Sequence, residues 1–384
     1  MTMNAVGMIT EFNPLHNGHV YAMQQARKLS GADALVIVMA GNFVQRGEPA
    51  ILDKWARTEL ALAAGADLVI ELPLSAAVQS AREFAQGGVQ QLASLGVSTL
   101  AFGTEMPQLD YAGIAVKQLA EERYGRGNFT DYTQTYASQL ASFYAQLGLG
   151  KITAPNAMLG LAYAQAVASL SPDMRLLPLN RLGAAHDSST GSVAFSSGSA
   201  IRQQVRSGET PSAVPRRTAE LLQNRPNYSW EQLWPLLQYR LRTAGLDELR
   251  QIDQMSEGLE YRLCGAAAAG NFADFLKQVK SKRYTYARLR RLSLNVLLNL
   301  RNGEVLNARW RPVTHVLGFN ARGRQLLHAV KKDARLPIVT RVSQDMIKED
   351  GVLALTQRAD SLIEMLGGGR QNYGRRPLME DNEC

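Results

Sequence analysis

The sequence predicts an α/β protein: a parallel sheet covered by helices on both faces, followed by a mainly α-helical, basic half. Three observations carry this. Residues 5–10, 34–39, 66–72 and 99–103 are short and almost continuously apolar, the pattern of strands buried on both faces. Between them, residues 54–64 and 75–95 are rich in Ala and Leu at helical spacing, and strands alternating with helices make a parallel sheet. Charge is the third: residues 1–200 carry 12 Lys and Arg against 15 Asp and Glu, whereas residues 201–384 carry 30 against 19. All excess positive charge lies in the second half, which suits a polyanionic partner.

The first strand runs into Glu11-Phe12-Asn13-Pro14-Leu15-His16-Asn17-Gly18-His19, and a helical pattern follows over 20–29. Strand, turn and helix start in that order suit nucleotide handling. A helix N-terminus presents backbone N–H groups and a positive dipole end to phosphate. Gly18 admits a ligand close to the backbone, and His16 and His19 can donate hydrogen bonds to charge building on a triphosphate under attack.

In a parallel sheet, ligands bind at the carboxyl ends of the strands. Gly41-Asn42 and Gly103-Thr104-Glu105 fall at such ends and should share one crevice with the histidine loop. Arg46 lies in a Gly-flanked loop after the second strand, and Lys54 and Arg57 share a face of the next helix, so these three cations are expected near a triphosphate. Asn156 has an amide that can donate and accept together, which suits a base or ribose. Arg181 follows a fifth strand expected at 176–179 and can stack on adenine or hold phosphate.

A Ser/Gly-rich loop over 187–199 ends in Ser196-Ser197-Gly198-Ser199-Ala200-Ile201-Arg202. Ser199 is placed to cap a helix beginning near Ala200. His186-Asp187 forms no hydrolase triad with these serines, since no G-x-S-x-G elbow follows a strand. Pro211, Pro215 and Pro226 suggest a loose connection, which divides the chain into residues 1–205 and 206–384. Within the basic half, Lys280, Lys282, Arg283, Arg288, Arg290 and Arg291 are interleaved with Tyr284 and Tyr286. Cations for phosphates and rings for unpaired bases are the mixture that binds single-stranded RNA. The last residues, 367–384, read as a frayed tail.

No apolar run is long enough to span a membrane, and no signal peptide is expected from the N-terminus. Cys264 and Cys384 are the two cysteines, too few for a disulfide framework or a cysteine zinc site, which fits a cytoplasmic protein.

The His-x-Gly-His loop resembles the signature of nucleotidyltransferases related to class I aminoacyl-tRNA synthetases, the HIGH superfamily. The Ser196–Arg202 run resembles the second signature of that superfamily, a mobile loop that grips β- and γ-phosphates through Ser197, Ser199 and Arg202. More specific segments narrow the likeness. Residues 7–19, Gly41 to Arg57 with its Gln45-Arg46-Gly47-Glu48-Pro49-Ala50 core, residues 66–73, Phe102-Gly103-Thr104-Glu105 and Pro155-Asn156 together make the chain similar to bacterial tRNA(Met) cytidine acetate ligases. Lys282-Arg283-Tyr284-Thr285 and Val316-Leu317-Gly318-Phe319-Asn320 continue the likeness more weakly.

That resemblance implies a Rossmann-like nucleotidyltransferase domain and a two-step reaction. ATP and acetate give acetyl-adenylate and pyrophosphate, and the wobble cytidine of elongator tRNA(Met) then takes the acetyl group on N4. It assigns ATP contacts to Ile9-Thr10-Glu11-Phe12-Asn13-Pro14-Leu15-His16-Asn17-Gly18-His19-Val20-Tyr21-Ala22 and to Gly103, Asn156 and Arg181. The placement of His16, His19, Arg46 and Lys54 makes them the residues expected in catalysis. Mg²⁺ is expected with the ATP, held mostly by phosphate and water, with no protein cage for a metal. Two other readings remain: an adenylyltransferase acting on a small phosphorylated metabolite, and a non-catalytic RNA-binding protein that kept a nucleotide domain.

Overall fold

The computed structural model describes residues 3–123, 142, 144–146, 152–181, 195–256 and 258–380. Its centre is one eight-stranded sheet. The strands are β1 (Ala5–Thr10), β2 (Ala34–Ala40), β3 (Leu68–Leu72), β4 (Thr99–Thr104), β5 (Arg175–Asn180), β6 (Thr314–Asn320), β7 (Ile338–Val339) and β8 (Leu378–Glu380). Their order is β5-β4-β1-β2-β3-β6-β7, with β8 also paired to β6. The first five strands are mutually parallel, as their continuous apolar runs predict.

Side-chain alternation assigns the two faces. Val36 and Val38 of β2 point into a core with Phe84, Val89, Leu100 and Leu161. That core lies beneath α4 (Ala81–Ser94), α5 (Tyr111–Arg123) and the helix Pro155–Leu170. Ile37 and Met39 point the other way, to Met23, Trp55 and Leu60 of α1 (Asn17–Ser30) and α2 (Lys54–Ala63). All seven residues of β2 are buried, and each such Val or Ile side chain contributes about 1.5–3 kcal/mol. The single helix expected over 75–95 is two helices, Leu74–Ala77 and α4. Val78 leaves helical angles and Ser80 is extended before the second one starts.

The boundary expected at residue 205 is not a boundary of the sheet. β6 pairs antiparallel with β3, Leu68 opposite Phe319 and Glu71 opposite His315, so the second half supplies three of the eight strands. The proline-rich connection is not loose either. Ala213 O accepts from Asn17 N and Ile51 O accepts from Tyr228 N. Between them the helix Arg216–Asn224 buries Leu221 and Leu222 in the α1/α2 core.

The helices from Trp230–Thr243 to Tyr286–Leu297, with Asn302–Trp310 and Ala354–Ile363, enclose a second core that includes Phe43, Leu74 and Val78 of the first half. Over its described residues, 367–380, the tail expected to fray is anchored: Gln371 and Asn372 are fully buried, and β8 follows. Among the described residues, no helix is long and apolar enough to cross a membrane.

Candidate active site

A cleft of about 610 Å³ opens at the carboxyl ends of β1, β2, β4 and β5, a size common for small-ligand sites. It brings together the histidine loop, the loop after β2, the ends of β4 and β5, and the Ser-rich loop. Residues 182–194, including His186-Asp187, lie outside the described residues.

Phe12 begins the turn after β1. It has φ 46°, is fully buried, and its ring meets the His19 ring edge-on at 5.0 Å. His16 then caps α1. Its Nδ1 accepts from Gly18 N at 3.1 Å, and His19 Nδ1 accepts from His16 N at 3.4 Å. The two rings stack with centroids 3.7 Å apart. With both Nδ1 atoms accepting, the proton of each neutral imidazole sits on Nε2. Burial, with help from Arg181, lowers the His16 pKa to about 4. Burial, then His16 and Arg181, pushes His19 well below its ordinary value. Both side chains are therefore neutral N–H donors at pH 7, and both line the cleft.

The N–H groups expected to be free at the start of α1 are engaged. Asn17 N donates to Ala213 O, Gly18 N to His16 Nδ1, and His19 N to His16 O. What α1 offers an anion is its dipole and the two Nε2–H groups. Gly198 and Ser199, at the start of the helix Gly198–Arg206, also line the cleft with backbone N–H groups that have no intrahelical acceptor, whereas Ala200 N and Ile201 N are taken by Ser197. The cap of that helix is Ser197, not Ser199: Ser197 Oγ accepts from Ala200 N at 3.2 Å and lies 3.0 Å from Ser199 Oγ.

Arg202 ties this helix to the rest of the site. It donates to Asn13 O at 2.7 Å and pairs with Glu48 at 3.3 Å. Arg46 lines the cleft as expected. On the far wall, Arg181 donates to Asn156 Oδ1 at 3.2 Å, and Asn156 donates to Glu105, which also accepts from Ala157 N at 3.1 Å. A Cβ on Gly103 would lie 3.2 Å from the Arg181 side chain, so glycine there lets the arginine cross the strand end. Glu105 and Glu48 fall in segments expected at the crevice, but local sequence does not give them a role. Each acts by holding an expected one, a role that only spatial neighbours reveal.

Several residues expected at the ATP site lie outside the cleft lining. Pro14, Leu15, Asn17 and Val20 do not line the cleft, and Leu15 belongs to the α1/α2 core. Lys54 is fully buried away from the cleft. Its Nζ donates to Glu71 at 2.9 Å, Asp360 at 2.7 Å and Asn372 at 2.8 Å. Arg57 is buried too and donates to the backbone oxygens of Leu52, Glu11, Ala40 and Gly41. Both cations hold the ends of the strands and loops rather than a triphosphate.

The basic cluster divides in the same way. Tyr284 is buried, bonded to Ser256 at 3.1 Å, and lies between Arg283 and Arg288, so it is no platform for a base. Lys282, Arg283 and Tyr286 are exposed, and Lys280 lies over the Tyr286 ring. Arg290 pairs with Glu48 at 3.3 Å and Arg291 donates to Gln45 O at 3.4 Å. Gly47, at φ 72°, completes the junction, because a Cβ there would lie 2.4 Å from Arg291 N. The helix Tyr286–Leu297 is therefore docked on the loop that forms one wall of the cleft.

The chain is similar to known proteins over nearly its whole length. The HIGH Nucleotidyl Transferase family model matches residues 3–375. The tRNA(Met) cytidine acetate ligase of Latilactobacillus sakei subsp. sakei is 46% identical over 384 residues, 98% of this chain and 97% of that protein. That of Lactobacillus acidophilus is 43% identical over 98% of this chain and 100% of its own. The crystal structure of apo Thermotoga maritima TmcAL superposes with a TM-score of 0.87 at 29% identity, covering 99% of this chain and 100% of that one. The same protein bound with alpha-thio ATP matches with a TM-score of 0.85. The chain belongs to the HIGH nucleotidyl transferases and, among them, to the tRNA(Met) cytidine acetate ligase family.

Proposed function

We propose that this protein joins acetate to N4 of the wobble cytidine of elongator tRNA(Met), at the expense of ATP. The observation that carries the reading is the docking of a basic helix, through Arg290 and Arg291, onto the wall of a nucleotide cleft in a chain of this family. Acetate is a poor acyl donor and the exocyclic amine a weak nucleophile, so the carboxylate must be activated first. An acetate oxygen attacks the α-phosphorus, pyrophosphate leaves, and the mixed anhydride then has AMP as its leaving group.

His16 and His19 donate from Nε2 to phosphate oxygens whose charge grows in the first step, and Arg46 and the Ser197–Ser199 turn accompany them. Neutral donors do this without losing a proton. Mg²⁺ enters with the triphosphate. Among the described residues no cluster of three His, Cys, Asp or Glu suits a metal, and phosphate and water are the ligands expected.

Incubation of the protein with labelled acetate, ATP, Mg²⁺ and tRNA, followed by mass spectrometry of the digested RNA, tests the reading. Labelled N4-acetylcytidine at the wobble position is the expected product. A dinucleotide product would favour the metabolite adenylyltransferase. RNA binding without acetate-dependent pyrophosphate exchange would favour a non-catalytic binder.

A further inference from the structure

Glu11, which the resemblance placed among the ATP contacts, lines the cleft with a charge that the first step does not explain. ATP and acetate are both anions, and a carboxylate beside them is repulsive. Yet Glu11 directly follows β1, lines the cleft, and has Oε1 held by Gln45 N at 2.9 Å. Sheet order places it. β4 and β2 flank β1 on opposite sides, so Gly103, Asn156 and Arg181 form one wall, and Gln45, Arg46 and Glu48 form the other. Glu11 is fastened to the second wall. There Arg291 donates to Gln45 O and Arg290 pairs with Glu48, which makes it the side nearest the basic helix.

We infer that Glu11 is the general base of the acetyl-transfer step, taking the proton from the attacking N4 amine; this rests on the function proposed above. The N4 lone pair forms the bond to the acetyl carbon. The bond from that carbon to the AMP phosphate oxygen breaks, and its electron pair leaves with AMP. The proton lost by N4 passes to Glu11 Oε2 and goes on to water when the products leave. A carboxylate accepts a hydrogen bond from the cytosine amino group, so Glu11 orients the nucleophile it deprotonates.

Other groups lining the cleft are unsuited. His16 and His19 already accept at Nδ1 and present only N–H, and Glu48 is held by Arg202 and Arg290. The Tyr163 phenol is pushed up by burial and by Glu11 itself. Burial raises the Glu11 pKa above the ordinary carboxylate value, with Glu48 adding to this. Gln45 N–H, Arg46 and Arg202 oppose it. The result is a carboxylate more basic than usual.

The test uses the full chain and Glu11→Gln, which keeps an oxygen for Gln45 N–H. Each protein receives chemically made acetyl-adenylate and tRNA, so that the first step is bypassed. Acetylcytidine formation by Glu11→Gln should fall by about 10²–10⁴-fold, with tRNA affinity retained and Glu11→Asp recovering part of the rate. The unsubstituted protein should lose transfer rate as pH falls through the Glu11 ionisation, and Glu11→Gln should lack that limb. Transfer by Glu11→Gln at the original rate would overturn the inference. So would equal losses in transfer and in pyrophosphate release, since Glu11 would then serve the ATP site. If the unsubstituted protein made no acetylcytidine, the proposed function itself would fall.

Discussion

Lys54 Nζ donates to Asp360 Oδ2 at 2.7 Å, joining residues 306 positions apart inside the protein. The same amine meets Glu71, which lies 2.7 Å from His315 Nδ1, and Asn42 donates to Asp360 and Gln371. Burial opposes the charge on Lys54, but Asp360 and Glu71 outweigh it and hold the ammonium pKa raised. Glu71 falls to about 2 because Lys54 and His315 overcome its burial. This network fastens the last strands and the tail to the ends of β2 and β3.

Removing one partner should strand charge in the interior. Lys54→Ala is expected to destabilise the protein by about 3–5 kcal/mol, read from the midpoint of guanidinium unfolding. A chain ending near Ser207 would lack β6, Asp360 and Asn372 together, leaving β3 as an open edge. Far- and near-UV circular dichroism should show that it does not fold. A stable, ATP-binding fragment would refute this account.

His16 has two duties that one substitution separates. Asparagine is a good helix cap, so His16→Asn should keep the cap and lose the Nε2–H donor. Acetate-dependent pyrophosphate release should drop by about 10²–10³-fold with stability nearly unchanged. His19→Ala should show a comparable loss, and tRNA binding should survive both. Parental release rates would remove the histidines from the chemistry.

The lowered histidine pKa also sets a pH dependence. His16 is neutral in the folded ATP-free protein down to about pH 4, whereas an unfolded histidine takes its proton near pH 6.5. Between those values the unfolded chain binds more protons, so stability should fall as pH drops from about 6.5 towards 4. His16→Asn should flatten part of that decline in the unfolding midpoint.

Lys282 and Arg283 are the exposed members of the basic cluster. Replacing both with Ala should weaken tRNA binding and lower the slope of log K against log salt by about 0.7–0.9 for each phosphate left without its cation. Acetyl-adenylate formation without tRNA should continue. Tyr284→Phe should leave RNA affinity unchanged, because that ring is buried. Filter binding at several salt concentrations measures both.

What the sequence by itself determined is local. Continuous apolar runs made β1 to β4 legible, because a strand buried on both faces needs no polar alternation. The histidine turn and the Ser-rich turn were legible as sites because they sit where a strand or loop meets a helix. Tertiary structure decided what depends on partners distant in the chain. Thr314–Asn320 carries Thr, His, Gly and Asn among its apolar residues, and it is a strand because β3 offers an unpaired edge. Gln371 and Asn372 read as a polar tail, yet they are buried because Lys54, Asn42 and Asp360 satisfy them. Lys54 and Arg57 read as phosphate ligands, since a cation near a strand end looks the same whether it faces the cleft or the interior. Which way it faces is set by the carboxylates and carbonyls that folding brings to it. Those come from residues 11, 40, 41, 71 and 360, which no local pattern connects.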